Sequence, residues 1–97
     1  MFQIEKADNG EIVMAGRLDA SQAEKAQELL DTVSASQTLD LKDLDYVSSA
    51  GLAVLLRTQK RLMGQGDGLT LINVSKHIFD IFRYSGFDQV FRIEMAG

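Results

Sequence analysis

Ninety-seven residues, 45% apolar and 25% charged, describe one ordinary globular domain and argue against disordered or fibrous classes. A chain this short buries about 60–65% of its unfolded surface, which leaves one core and little material for a deep catalytic pocket. The net charge of −4, with basic residues scattered apart from Arg57, Lys60 and Arg61, argues against nucleic-acid binding, and the lack of cysteine excludes disulfides, thiolate chemistry and Cys-based zinc sites.

Phe2 and Ile4 alternate with Gln3 and Glu5, the pattern of a half-buried strand. Asp8-Asn9-Gly10 follows, and Asn-Gly between apolar runs is a strong hairpin signal, because both residues tolerate positive φ. The second strand is predicted over Ile12-Val13-Met14-Ala15, ending at Gly16. Ser21 and Glu24 have capping-box spacing, with Ala23, Ala26, Leu30 and Val33 on one helical face behind them. Thr38-Leu39-Asp40-Leu41 reads as a third strand and Asp43 to Ser48 as a short loop.

A second helix is expected from about Ala50 to Met63, burying Leu52, Leu55, Leu56, Leu62 and Met63. Gly64-Gln65-Gly66-Asp67-Gly68 ends it and turns the chain. Leu69–Val74 is the fourth strand. Ser75 can cap a third helix through Phe82, with Ile78, Phe79 and Phe82 facing inward and Gly86 past its end. A last strand is expected near Val90 to Ile93. The order is β-β-α-β-α-β-α-β: an α/β fold, one domain over residues 1–97. It should be a mixed sheet with helices packed on it and two parallel, right-handed β-α-β crossovers.

No apolar run approaches the roughly 18 residues of a membrane helix. Met1-Phe2-Gln3-Ile4-Glu5 lacks the basic start and apolar stretch of a signal peptide. The expectation is a cytoplasmic protein with no direct membrane insertion.

The informative stretch is Ser48-Ser49-Ala50-Gly51-Leu52, between strand-plus-loop and an apolar helix. A serine there is ordinarily an N-cap, accepting from a free backbone N–H. The same helix start, with unpaired N–H groups and a positive dipole end, also tolerates a phosphate. Gly51 lacks a Cβ, so another backbone can approach closely. Other chemistry is poorly supported. His77 is the only histidine, which leaves no multi-His metal site and no nucleophile-elbow pattern for a triad. The Gly64–Gly68 run follows a helix and precedes a strand, the reverse of a phosphate loop. Asp40, Asp43 and Asp45 read as solvated loop carboxylates. No cofactor and no enzymatic activity are expected.

The chain resembles the STAS domain proteins, the anti-sigma-factor antagonists of bacteria. The resemblance covers nearly the whole chain and rests on Gly16-Arg17-Leu18-Asp19, on Leu39 through Leu52, and on Val74 through Ser85-Gly86-Phe87. It implies that Ser49, two positions before Gly51, is phosphorylated by a partner that is both serine kinase and anti-sigma factor, of histidine-kinase-like ATPase fold. A PP2C-type phosphatase would reverse the modification. Many members carry Asp at the position of Ser48 and Ser or Thr at that of Ala50. Ser48 is therefore a second candidate acceptor, while Ala50 removes one. Asp19 matches an acidic position near the modified serine. The implied docking surface comprises Asp19, Ser21, Ser48, Ser49, Ala50 and Gly51. The resemblance also implies an alternative, a STAS subunit of a lipid-transport ATPase complex that binds without being phosphorylated.

Overall fold

The computed structural model describes residues 1–97. Eight elements follow in chain order: β1 Phe2–Lys6, β2 Ile12–Leu18, α1 Ala23–Leu30, β3 Gln37–Val47, α2 Ser49–Met63, β4 Leu69–Val74, α3 Lys76–Tyr84 and β5 Arg92–Met95. The expected element order holds. The strands form one sheet in the order β1-β2-β3-β4-β5, with β1 antiparallel to β2 and every other pair parallel. There are three parallel crossovers rather than two, because α3 also joins parallel neighbours. Right-handed crossovers that all step the same way place their helices on one face. A single core cluster follows. It joins Ala26 and Leu30 of α1, Leu52, Val54, Leu55 and Leu62 of α2, and Ile78 and Phe82 of α3 to one side of the strands.

Register explains which side that is. Ile12, Leu39, Leu71 and Ile93 are neighbours in one row across β2 to β5. Ile12, Leu39 and Leu71 are buried, and Ile93 packs against them. The adjacent row, Val13, Asp40 and Ile72, lies on the face that no helix covers and is half-buried.

Several elements differ from the sequence expectation. The expected β1–β2 hairpin is present and antiparallel, and within its loop Gly10 takes positive φ, +88°, while Asn9 does not. Gly10 N–H donates to Ala7 O at 3.0 Å and Ala7 N–H to Glu11 O at 2.8 Å. This is a three-residue loop, a turn closed by a left-handed bulge residue. β2 does not end at Gly16. It passes through it at φ +89° and continues to Leu18.

β3 runs eleven residues, so Asp43 to Val47 is strand and not loop. Its pairing with β2 slips twice: Val13 and Ala15 face Asp40 and Asp43, and Gly16 and Arg17 face Leu44 and Tyr46. Each slip adds one residue to β3, a β-bulge. The bulges keep Leu39, Leu41, Leu44 and Val47 all buried although the last three are spaced by three. In α2 the inward face is rotated from expectation: Met63 is 56% exposed, and Thr58 and Gln59 are buried instead. Thr58 Oγ1 donates to Val54 O. Gln59 Nε2 donates to Val90 O at 2.8 Å, and its Oε1 accepts from Leu69 N–H at 2.7 Å. In α3, Ile78 and Phe82 are buried but Phe79 only partly. Ser75 caps α3, accepting from Ile78 N–H. Gly86 and Phe87 N–H groups return to Arg83 O and Phe82 O, the bond pair of a Schellman ending.

Candidate functional site at the start of α2

The site is built where β2 and β3 end together. Leu18 and Val47 are the last paired residues of the two strands. Ser48 N–H then donates to Leu18 O at 2.9 Å, holding the start of α2 against the end of β2. Ser48 remains extended, at φ −83° and ψ 173°, and its hydroxyl accepts from Gly51 N–H at 3.2 Å. Ser48 is therefore the N-cap.

Ser49 is the first helical residue. It is exposed, and its hydroxyl makes no hydrogen bond within the chain. The cap role and the free hydroxyl thus fall on different serines. Gly51 sits over Leu18: a Cβ there would lie 2.7 Å from Leu18 Cγ and 2.8 Å from Leu18 O. The backbone it admits is the chain's own. Gly51 is buried, so it serves a surface by permitting this approach rather than by contact.

Asp19 follows Leu18 directly. Its Oδ1 accepts from Ser21 Oγ at 2.6 Å and from Ser21 N–H at 3.1 Å, and its backbone O accepts from Gln22 N–H. The Ser21 hydroxyl bond, its backbone N–H and the nearby Arg17 charge hold the Asp19 carboxyl below the usual range against a desolvation that raises it. This local turn overturns the expected capping box. With its hydroxyl committed to Asp19, Ser21 does not cap α1, and Gln22 stands at the N-cap with no side-chain bond. Arg17 lies over the Tyr46 ring, 4.5 Å from its centroid.

The family model described as "Mlab, STAS domain" matches residues 2–95. The chain belongs to the STAS domain family. The anti-sigma-B factor antagonist of Bacillus subtilis is 30% identical to it over 86 residues, covering 86% of this chain and 79% of that protein. BtrV of Bordetella bronchiseptica is 34% identical over 82 residues, covering 84% of this chain and 70% of BtrV. Among solved structures, an anti-sigma factor antagonist from Mycobacterium paratuberculosis superposes with a TM-score of 0.79 at 19% identity, over 97% of this chain and 84% of that one. The sheet and the three helices of this STAS domain are thus those of the family.

Within this STAS domain, the other sequence candidates lie elsewhere. Asp40, Asp43 and Asp45 sit on β3, not in a loop. Asp40 accepts from Asn73 Nδ2 at 3.1 Å and from Lys42 N–H at 3.0 Å. No three His, Cys, Asp or Glu side chains converge on a metal-sized position. His77 is exposed in the first turn of α3. No helix is long and apolar enough to cross a membrane.

Sequence reasoning missed a groove of about 320 Å³ beside Ser49, lined by Ser49, Leu52, Ala53, Leu56, Ser85 and Phe87. The signal was present in part. Ser49, Leu52, Ala53 and Leu56 are spaced i, i+3, i+4, i+7, one helical stripe. Its second wall, from the end of α3, is set by tertiary packing.

Proposed function

We propose that this STAS domain is an anti-sigma factor antagonist, switched off by phosphorylation of Ser49. The partner would be an anti-sigma factor that is also a serine kinase, of histidine-kinase-like ATPase fold. Unmodified protein would bind it and release its other client. The observation that carries this reading is the exposed, unbonded Ser49 hydroxyl at the first position of α2, with the cap supplied by Ser48. A kinase needs a hydroxyl it can reach without dismantling the helix, and Ser49 meets that need while Ser48 does not.

The chemistry of the switch is electrostatic. Phosphate adds about −1.5 to −2 charges. At the helix start, unpaired N–H groups and the dipole favour that charge, so the domain tolerates it. A partner docked on Ser49 must desolvate the dianion, and binding weakens. A coupling of about 1–3 kcal/mol, 5–150-fold in affinity, suffices for a switch. A PP2C-type phosphatase would restore the hydroxyl. The domain itself supplies only a surface and would act in the cytoplasm without cofactor or catalysis.

Incubation with the kinase and ATP, followed by phosphosite mapping, tests the assignment. Phosphate is expected on Ser49, with none on the Ser49→Ala variant. Modification chiefly at Ser48, unaffected by Ser49→Ala, would overturn it. A stable complex without any modification would move the assignment to a STAS subunit docking on a lipid-transport ATPase.

A further inference from the structure

The groove beside Ser49 has a chemistry that its serine does not explain. Its floor and walls are Leu52, Ala53, Leu56 and Phe87, and its polar members are only Ser49 and Ser85. Leu52 is buried, but Ala53, Leu56 and Phe87 are only half-buried, so some apolar surface faces water next to the free hydroxyl. The stripe continues along α2. Lys60 and Met63 lie eleven and fourteen residues past Ser49, at about 100° per residue within some 40° of the same line. Both are exposed, Met63 at 56%.

The charge on α2 is equally one-sided. Its sequence, Ser49 to Met63, holds Arg57, Lys60 and Arg61 and no acidic residue. The chain as a whole carries −4. None of the three forms an ion pair, since the only two pairs in the molecule are those of Asp80 with Lys76 and Arg83. Arg61 donates to Leu30 O and Val33 O, and Arg57 to Gln27 Oε1, all uncharged acceptors. Lys60 makes no side-chain bond. At Lys60 the basic end of α2 thus lies about 6 Å along the axis past Leu56, the last groove residue on that helix. Asp31, at the end of α1, lines a hollow with Arg57 and Arg61, and Lys60 stands outside it.

We propose that this groove is the anchor site for the kinase that acts on Ser49. It would receive one apolar side chain of a partner segment whose carboxylates lie against Lys60. The inference rests on the reading of Ser49 given above and adds the chemistry of its partner. It also gives the switch a physical form. Ser49 lines the groove, so its phosphate places a dianion at the rim of the pocket that the apolar anchor must enter. The anchor then meets an ion that must be stripped of water, while the carboxylate contact at Lys60, about 16 Å from Ser49 and beyond a Debye length, is largely unaffected. Phosphorylation therefore opposes the anchoring half of the recognition and leaves the charge contact to set the encounter.

The test uses the full domain and the kinase isolated by its activity on Ser49, with binding measured by calorimetry without nucleotide. Leu56→Ser and Ala53→Arg are expected to weaken binding at least tenfold, as removal or blocking of a central apolar anchor does. Lys60→Glu is expected to weaken it several-fold and to flatten the salt dependence seen with wild type. Thermal unfolding of each variant keeps a folding defect from passing as a binding one, and because Lys60 is wholly on the surface its arm stands even if Leu56→Ser unfolds. Binding within twofold of wild type for Ala53→Arg and Lys60→Glu, while Ser49→Asp binds weakly, would overturn the groove and leave the Ser49 switch standing. Failure of any kinase to bind or modify the wild-type domain would overturn the reading of Ser49 and this proposal with it.

Discussion

The two ends of the parallel strands are built from the same residue types and are wired differently. At the end where β3 and β4 begin, the side-chain bonds span the chain. Ser36 Oγ donates to Asp67 Oδ1 and accepts from Gly68 N–H. Gln65 Nε2 donates to Ser34 O, 31 residues away. Gln37 Nε2 reaches Gly10 O at the hairpin, and Gln59 ties α2 to Leu69 and Val90. At the end where β2, β3 and β4 finish, most side-chain bonds stay inside single turns, Ser21 with Asp19, Ser48 with Gly51 and Ser75 with Ile78, and the longer ones, Lys25 to Phe2 O and Asn73 to Asp40, do not involve the start of α2. One end locks separate elements together. The other shapes each turn by itself and leaves the Ser49 hydroxyl and the surface around it unspent. In parallel sheets the carboxyl ends of strands are where ligands gather. Here the difference in wiring gives a reason: at that end the Ser49 hydroxyl is left unclaimed by the fold.

The largest effect should come from breaking the locked end. Gln59 is only 5% exposed, and its amide satisfies two backbone groups. Gln59→Ala strands Leu69 N–H and Val90 O, each at about 1–3 kcal/mol, so a total of about 2–6 kcal/mol is expected in urea unfolding. A loss under about 1 kcal/mol would mean that water replaces the amide and that this end is less tightly closed than its bonds imply. Next in size is Gly51→Ala at the open end. Overpacking against Leu18 costs about 1–3 kcal/mol, which outweighs the roughly 0.5–1 kcal/mol by which alanine favours a helix. A stabilised Gly51→Ala variant would show that Leu18 yields easily and that the α2–β2 contact is loose.

The third test separates the adjacent serines. Ser48→Ala removes the cap of α2 and should cost about 0.5–2 kcal/mol. Ser48→Asp should cost less, because aspartate caps well. Both variants should keep Ser49 as phosphate acceptor. Equal stability of wild type and Ser48→Ala by thermal unfolding would return the cap role to another group.

Much of this architecture is legible in the sequence, because apolar spacing reports element type directly. Three features are not, and each fails for a physical reason. β3 reads as short because its inward residues fall at Leu41, Leu44 and Val47, a spacing of three that matches no strand until the bulges against β2 are known. Gln59 carries no apolar signal, and its burial depends on partners ten and thirty-one residues away. The division of labour between Ser48 and Ser49 turns on one bond, Ser48 N–H to Leu18 O, which fixes where strand ends and helix begins. The Ser48 to Gly51 spacing does match an N-cap and its third helical residue, but the Ser49 to Leu52 spacing matches equally. By contrast, the site's position after β3 follows from the chain order alone.

Acid should erode both ends in a way that sorts them. Asp67 is held low by Gln65 and Ser36, and Asp19 by Ser21, each below an ordinary value of 3.8. A carboxyl with a depressed folded value contributes stability that is fully present above its unfolded pKa. That contribution is lost as pH falls through the folded value. Stability should therefore be flat near neutrality and decline below pH about 4. Ser36→Ala and Ser21→Ala should each soften that decline, measured as urea midpoints between neutral and acid pH. Unchanged acid sensitivity in both variants would show that these exposed bonds carry no protonation linkage.

The smallest effect on stability is expected where the effect on function is greatest. Ser49 is exposed, its hydroxyl bonds nothing in the chain, and the cap belongs to its neighbour. Ser49→Ala should therefore leave the unfolding free energy within about 0.5 kcal/mol of wild type, the range of surface changes away from special features. Alanine also favours the helix it would begin, so the sign could be slightly positive. Yet the variant should accept no phosphate and should stay bound to the kinase when ATP is supplied. Ser49→Asp should fold equally well and bind more weakly, by less than the phosphorylated protein, because it carries one charge where phosphate carries nearly two. Parallel denaturant melts and binding titrations of the three forms decide this. A destabilisation of Ser49→Ala as large as that of Ser48→Ala would mean that both hydroxyls serve the fold, and the open end would then be no freer than the locked one.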